Sequence, residues 1–240
     1  MTPAERDTAL RLLAEGEISL HGRIVSASNA SFLGTVTQGD QSATCVYKPV
    51  RGERPLDDFP DGTLWKRERA AYLVSDATGW DIVPPTVTRD DGPFGEGMAQ
   101  LWIDVDETAD VWTIVNTSDP RLRRIALFDA AVNNADRKGG HLLPAPGGHL
   151  YGVDHGICFA AEPKLRTIIW DWRGQPIGRE ELAVLRSLRA ALDGPLGQAL
   201  QMLIAPAELR AFERRVDRLL RTKVFPQPDP DRMVVPWPPF

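Results

Sequence analysis

The sequence predicts an α+β fold of two lobes sharing a cleft: a sheet-rich first part (residues 1–103) and a short, mostly helical second part (residues 104–240). Three observations carry this. Between residues 18 and 48, apolar and polar residues alternate in successive short runs, the period of half-buried strands. Beyond the acidic stretch 104–110, the apolar spacing becomes helical. A length of 240 residues with 42% apolar and 25% charged content suits one large domain or two small lobes of ordinary globular composition.

Thr2-Pro3-Ala4-Glu5 reads as a helix start, with Thr2 as N-cap, Pro3 in the first turn and Glu5 completing a capping box. The helix runs to Gly16. Ile18 with Leu20, Arg23-Ile24-Val25, Phe32-Leu33-Gly34-Thr35-Val36 and Ala43-Thr44-Cys45-Val46-Tyr47-Lys48 then read as strands. Gln38-Gly39-Asp40 is a turn, and Pro49 ends the third strand because proline cannot donate to the ladder. A Pro/Gly/Asp-rich loop (51–62) precedes a helix over 64–74. Residues 82–88 and 97–103 read as strands joined by a turn at Asp90-Asp91-Gly92-Pro93. Asp119-Pro120 opens a helix to Val132, two late helices span 179–192 and 206–223, and the Pro-rich tail 225–240 lies extended over the surface.

The net charge of -5 gives no whole-molecule pull toward nucleic acid or anionic lipid. Cys45 and Cys158 are too few for a disulfide scaffold, which fits a reduced compartment. The first residues lack a signal-peptide core, and no apolar run approaches membrane-spanning length. A cytoplasmic protein without integral membrane association is expected.

The chemistry concentrates in Asn133-Asn134-Ala135-Asp136-Arg137-Lys138-Gly139-Gly140-His141 and Gly152-Val153-Asp154-His155-Gly156. Kinase-type phosphoryl transfer needs a carboxylate to orient the attacking hydroxyl and further ligands to hold the metal on the triphosphate. Asp136 suits the first role, and His141, five positions on, pairs with Asp154 for the second. Lys48, at a strand end, can bind the α- and β-phosphates of ATP when a carboxylate holds it, and Glu68 one helix later is the natural partner. Ser26-Ala27-Ser28-Asn29-Ala30-Ser31 falls where a phosphate-covering hairpin would lie. Its small residues, with Ser28, Asn29 and Ser31 as polar contacts, let backbone N–H groups approach phosphate oxygens. There is no protein-kinase glycine pattern and no Walker-type loop.

Each of these residues also has an ordinary reading as an exposed lysine, a solvated glutamate or a turn aspartate; it is their order that points to a site. A rival reading takes His141, His149, His155 and Cys158 as zinc ligands, but their spacing fits no standard zinc motif. The late basic helix (Arg210, Arg214, Arg215, Arg218, Arg221, Lys223) could meet acidic lipid or nucleic acid. Glu208, Glu213 and Asp217 interleave with it and favour a salt-bridged, solvated face.

Together these motifs resemble the phosphatidylinositol 3-/4-kinase-like superfamily, most closely the type II phosphatidylinositol 4-kinases, and more distantly the HipA-type bacterial kinases. Val46-Tyr47-Lys48-Pro49 is similar to the family's lysine strand, and Glu68-Arg69-Ala70-Ala71-Tyr72-Leu73 to its glutamate helix. Ile82-Val83-Pro84 resembles the strand that follows. Asn134-Ala135-Asp136-Arg137 resembles the catalytic loop and Val153-Asp154-His155-Gly156-Ile157-Cys158-Phe159 the metal segment, with Trp170-Asp171-Trp172 matching a later Trp-x-Trp. Ala99-Gln100-Leu101-Trp102-Ile103 resembles the strand into the hinge, which implies that Leu101, Trp102 and Ile103 border adenine. Ala/Arg/Asp/Pro richness suggests a GC-rich genome and an actinobacterial-type relative. His141 departs from the family's asparagine, and the membrane-anchoring cysteine cluster of the eukaryotic lipid kinases is missing.

The resemblance implies a two-lobed protein-kinase-like fold and a phosphotransferase dependent on ATP and Mg²⁺ or Mn²⁺. Imidazole at position 141 favours Mn²⁺ or Zn²⁺ over Mg²⁺. Two alternatives stand beside this: a nucleotide-binding pseudokinase acting through a protein partner, and an AMP transferase. The acceptor stays open among lipid, small molecule and protein hydroxyl.

Overall fold

A computed structural model describes residues 1–24 and 29–240 of the chain. The N-terminal helix α1 (Pro3–Glu15) has the expected capping box: Thr2 Oγ1 accepts from Glu5 N–H at 3.3 Å, and the Glu5 carboxylate accepts from Thr2 N–H at 2.7 Å. Gly16 ends it. A Cβ there would meet Leu12 O and Val36 Cγ2, both at 2.7 Å, so only glycine lets the chain turn directly into the sheet.

Five antiparallel strands follow in the order β1-β2-β3-β5-β4: β1 (Glu17–Arg23), β2 (Phe32–Gln38), β3 (Gln41–Pro49), β4 (Thr86–Gly92) and β5 (Gly95–Leu101). Val25, expected at a strand end, lies outside the described residues. Leu12 and Leu13 of α1 cover one face of this sheet, forming a core with Ile18, Val36, Cys45, Tyr47, Val87 and Ala99. Arg89 fastens the helix end, donating from Nη1 to Leu13 O and Gly16 O at 2.8 Å each.

The structure corrects several boundaries. The strand expected from Ile82 starts only at Thr86, because Pro84 and Pro85 have no N–H to give a ladder. Ile82 and Val83 instead enter the second core. The β4–β5 turn falls at Pro93-Phe94; Asp90 and Asp91 remain in the strand, where a bulge between Arg89 and Gly92 absorbs the extra length. β5 stops at Leu101, short of Ile103, although Trp102 N–H still donates to Thr44 O at 3.0 Å.

Between β3 and β4 lies α2 (Leu64–Thr78), longer than expected at its C-terminal end. Its Ala70, Ala71, Tyr72 and Val74 pack into the second core, shared with α4 (Pro120–Val132), α5 (Arg179–Ala191) and α7 (Pro206–Thr222). Two short helices, α3 (Val111–Asn116) and α6 (Pro195–Gln201), complete the helical part, with the hairpin β6 (Leu142–Pro144) and β7 (Leu150–Gly152). The tail has no regular element, as its prolines predict. The mixed fold, sheet first and helices after, is the α+β class read from the sequence. Among the described residues no helix is long and apolar enough to cross a membrane.

Candidate active site

β3 delivers Lys48. Cys45, Tyr47 and Pro49 are buried against the core, so period-two alternation sends Lys48 to the opposite face. There its Nζ donates to Glu68 Oε1 at 2.6 Å and to Asp154 Oδ1 at 2.8 Å. Glu68 is only 2% exposed. A buried carboxylate needs both oxygens satisfied, and the second, Oε2, accepts from His155 N–H at 2.9 Å. Its neighbour Arg67, equally buried, donates to Cys158 O at 2.8 Å and to Glu208 of α7 at 2.7 Å.

Asp154 follows β7. The register of the small hairpin pairs Leu142 with Gly152, which puts His141 beside Val153, and Val153 N–H donates to His141 O at 3.0 Å. His141 Nε2 thereby comes within 3.4 Å of Asp154 Oδ2. Asp154 has φ 62, a left-handed conformation that a short polar side chain tolerates and that turns its half-exposed carboxylate toward Lys48. Lys48 holds that carboxylate well below the usual range. Burial pulls the Lys48 ammonium down, but Asp154 and Glu68 outweigh it, so Lys48 stays charged well above its ordinary value. Burial also lowers His141, only partly opposed by Asp154, leaving a neutral imidazole near pH 7.

The Asp136 loop hangs from the end of α4. Asn133, in a left-handed conformation at φ 56, caps the helix; its amide donates to Ala160 O and Glu162 O and accepts from Lys164 N–H. Asn134 donates to Asp129 Oδ1 at 3.0 Å and accepts from Asp136 N–H at 3.0 Å, which fixes the backbone of Asp136. The Asp136 carboxylate is paired with Lys138 Nζ at 3.0 Å. Among the described residues it forms no ion pair with the Lys48 group.

The connector is Arg137. Its guanidinium is fully buried and clasps Asp129, also fully buried, with two bonds of 2.9 Å. It also donates to Val153 O at 3.0 Å and to His155 Nε2 at 2.6 Å. An arginine can only donate, so His155 Nε2 is the acceptor and its proton sits on Nδ1. Burial first, and Arg137 second, hold this ring neutral, with its pKa well below the ordinary 6.5.

Lys48, Glu68, Asp154 and His141 thus form one connected chain, with Asp136 on an adjoining loop. Ser28 lies outside the described residues. Asn29 Oδ1 accepts from Arg54 N–H at 2.9 Å, and buried Ser31 Oγ has no partner among the described residues; neither touches Lys48. Leu101 and Trp102 are anchored by N–H bonds to Pro85 O and Thr44 O, and Ile103 is buried.

The zinc set does not converge. His149 Nε2 donates to Asp81 O on the surface, His155 is spent on Arg137, and Cys158 is core. Among the described residues no group of three His, Cys, Asp or Glu side chains is placed to hold a metal. Arg215, assigned by spacing to the basic face of α7, is buried and donates to Ala131 O and Ala160 O. Arg137, Lys138 and His155 stood within the two motifs without a role of their own, and Asp129 was not singled out from the sequence. Asp129 carried a signal: a carboxylate on the apolar stripe of α4 beside Ile125, Phe128 and Val132 demands a buried partner.

No protein-family model matches the chain. Its fold resembles that of the Golgi casein kinase, solved with Mn and ADP bound, with a TM-score of 0.63 at 16% identity over 97% of this chain and 81% of that one. It also resembles the Helicobacter pylori proinflammatory kinase CtkA, with a TM-score of 0.52 at 12% identity over 89% of this chain and 94% of that one. The fold is therefore protein-kinase-like. In sequence, 191 residues are 28% identical to phosphatidylinositol 4-kinase gamma 4 of Oryza sativa subsp. japonica, spanning 64% of this chain and about a third (34%) of that one. Protein Rv2133c of Mycobacterium tuberculosis is 46% identical over 270 residues, 98% of this chain and 96% of that one, and the chain belongs to the family of that protein.

Proposed function

We infer that the protein is an ATP- and divalent-metal-dependent phosphotransferase of the phosphatidylinositol 3-/4-kinase-like type, acting on an alcohol acceptor. The observation that carries this is the chain from Glu68 through Lys48 to Asp154, with bonds of 2.6 and 2.8 Å joining three segments in the order such kinases use. Partial similarity to a phosphatidylinositol 4-kinase and a fold shared with a kinase solved with Mn and ADP support it.

In this reading Lys48, kept charged by its two carboxylates, takes the α- and β-phosphates. Asp154 and His141 would hold the metal. One carboxylate and one neutral imidazole fit a divalent ion that accepts nitrogen, with phosphate oxygens and water filling the other positions. When bound, the metal neutralises charge on the phosphates. Asp136, fixed through Asn134, orients the acceptor hydroxyl and receives its proton. Lys138, 3.0 Å from that carboxylate, is placed to offset charge as the phosphoryl group arrives. Leu101, Trp102 and Ile103 border the adenine.

Thermal shift with ATP and Mg²⁺ or Mn²⁺ tests the site. We expect a metal-dependent rise that Asp154→Ala abolishes and Asp136→Asn keeps, with transfer stopped in both. Transfer unchanged in Asp136→Asn overturns the assignment. His141, standing where the family has asparagine, favours one second reading, a nucleotide-binding pseudokinase that signals through a partner protein. ATP binding without turnover under either metal would select it. The leaving group separates phosphoryl from AMP transfer: ADP for the first, pyrophosphate for the second.

A further inference from the structure

The segment 233–240 runs back across the helical part to the loop that carries Asp136. Val234 O accepts from Thr167 N–H and from the Trp170 indole N–H, each at 3.0 Å. Pro239 O accepts from Gly139 N–H at 2.8 Å. The Phe240 ring then lies so close to Gly139 that a Cβ on that residue would collide with it. Trp112 of α3 meets the same ring, with centroids 5.1 Å apart. Gly139 is not among the residues with positive φ, so its backbone would accept any L-residue; the tail alone demands glycine there.

Gly139 and Gly140 lie between Asp136 and His141. Two consecutive glycines leave that stretch with the greatest backbone freedom of the site. Its two ends are fixed, Asp136 through Asn134 and His141 through the β6–β7 hairpin. The tail supplies a fixed point between them. It does so without covering the chemistry: on this loop it accepts from Gly139 N–H and fills the space a Gly139 Cβ would take, whereas the Asp136 and Lys138 side chains each keep 22% exposure.

We propose that residues 234–240 form a strap that sets the 136–141 loop for transfer, with Pro239 and Phe240 as positioning residues. This rests on the phosphotransferase reading. The strap acts by limiting the loop to one geometry, so its loss lowers turnover and spares nucleotide binding, which is carried by Lys48 and Asp154.

The test compares wild type, Phe240→Ala, Gly139→Ala and the double variant in three measurements: amide hydrogen exchange over 138–142, metal-dependent ATP affinity, and release of ADP and inorganic phosphate from ATP with Mn²⁺ or Mg²⁺, water serving as the acceptor hydroxyl. Each single variant should speed exchange at Gly139 and slow ADP release by about 10- to 100-fold, the scale of an ångström-level misplacement, with ATP affinity unchanged. The double variant should be no worse than Phe240→Ala, because the vacated ring space accepts the new methyl group. Unchanged exchange, faster ADP release or fully additive losses in an active protein overturn the strap. A wild-type protein that releases no ADP overturns the phosphotransferase reading itself, and the role in transfer with it.

Discussion

Arg137→Met is the most informative single perturbation, because its cost can be worked from the structure without assuming any activity. The guanidinium and its partner Asp129 are both fully buried. Removing the first leaves the carboxylate with one remaining side-chain donor, the Asn134 amide at 3.0 Å. It also strands the Val153 carbonyl and His155 Nε2. Breaking one half of a buried ion pair costs about 3–5 kcal/mol, against a total stability of roughly 5–15 kcal/mol for a domain. At about 2–4 °C per kcal/mol for a chain of this size, the melting temperature should fall by about 6–20 °C. Urea unfolding with an unchanged m-value is the assay. The double variant Asp129→Leu with Arg137→Met removes both charges and should recover the part of the loss due to the unpaired carboxylate, while Val153 O, His155 Nε2 and the Asn134 amide stay without their partners. A loss below about 1 kcal/mol, the range of exposed pairs, refutes the reasoning; so does a double variant that costs the sum of the singles.

Glu68→Gln should weaken ATP binding by about tenfold, roughly 1.4 kcal/mol, by loosening Lys48 while keeping the His155 N–H acceptor; equal affinity in titration calorimetry would separate Glu68 from the nucleotide. His141→Asn replaces imidazole with a harder oxygen donor and should raise the ratio of Mg²⁺- to Mn²⁺-supported ADP release; an unchanged ratio removes His141 from the metal. Lys138→Ala should slow ADP release more than it weakens ATP binding, and a loss confined to binding contradicts a role in the transferring step. His155 is held neutral in the fold, below its ordinary 6.5, so its contribution is present above pH 6.5 and fades as pH falls. Stability should drop by up to about 1.4 kcal/mol per pH unit below that point, and a His155→Gln variant should show a shallower slope between pH 7 and 5.

The elements read correctly are those whose signals are local. The α1 capping box and the Asp119-Pro120 start of α4 each involve partners within a turn, so propensity and capping decide them. That Lys48, Glu68 and Asp154 meet was legible for a different reason: each sits at the end or on the face of a strongly patterned element. What stayed hidden depends on distant partners. The last turn of α2 looks polar, yet Ser75 and Thr78 are buried because Ser75 Oγ accepts from Val83 N–H and Thr78 Oγ1 donates to Ser75 O. Arg215 follows the spacing of a solvated face and is drawn inward by two carbonyls of other segments. The short helices α3 and α6 carry too few turns for periodicity to register.

Helix α2 is tied directly to the segment that follows Asp154. Consecutive residues of a helix point about 100° apart, so Arg67 and Glu68 reach the 154–158 segment from two directions. Glu68 grips its start at His155 N–H, and Arg67 its far end at Cys158 O. Arg67 is in turn tied to Glu208, so α7 bears on the same segment. A displacement of α2 that drew the Glu68 carboxylate away would release both Lys48 Nζ and His155 N–H. The Asp129–Arg137–His155 network approaches the same segment from the other side. Lys48, Glu68 and Asp154 are thus backed by one framework of buried, mutually hydrogen-bonded side chains, Arg67, Asp129, Arg137 and His155 among them, whose displacement would uncover polar groups.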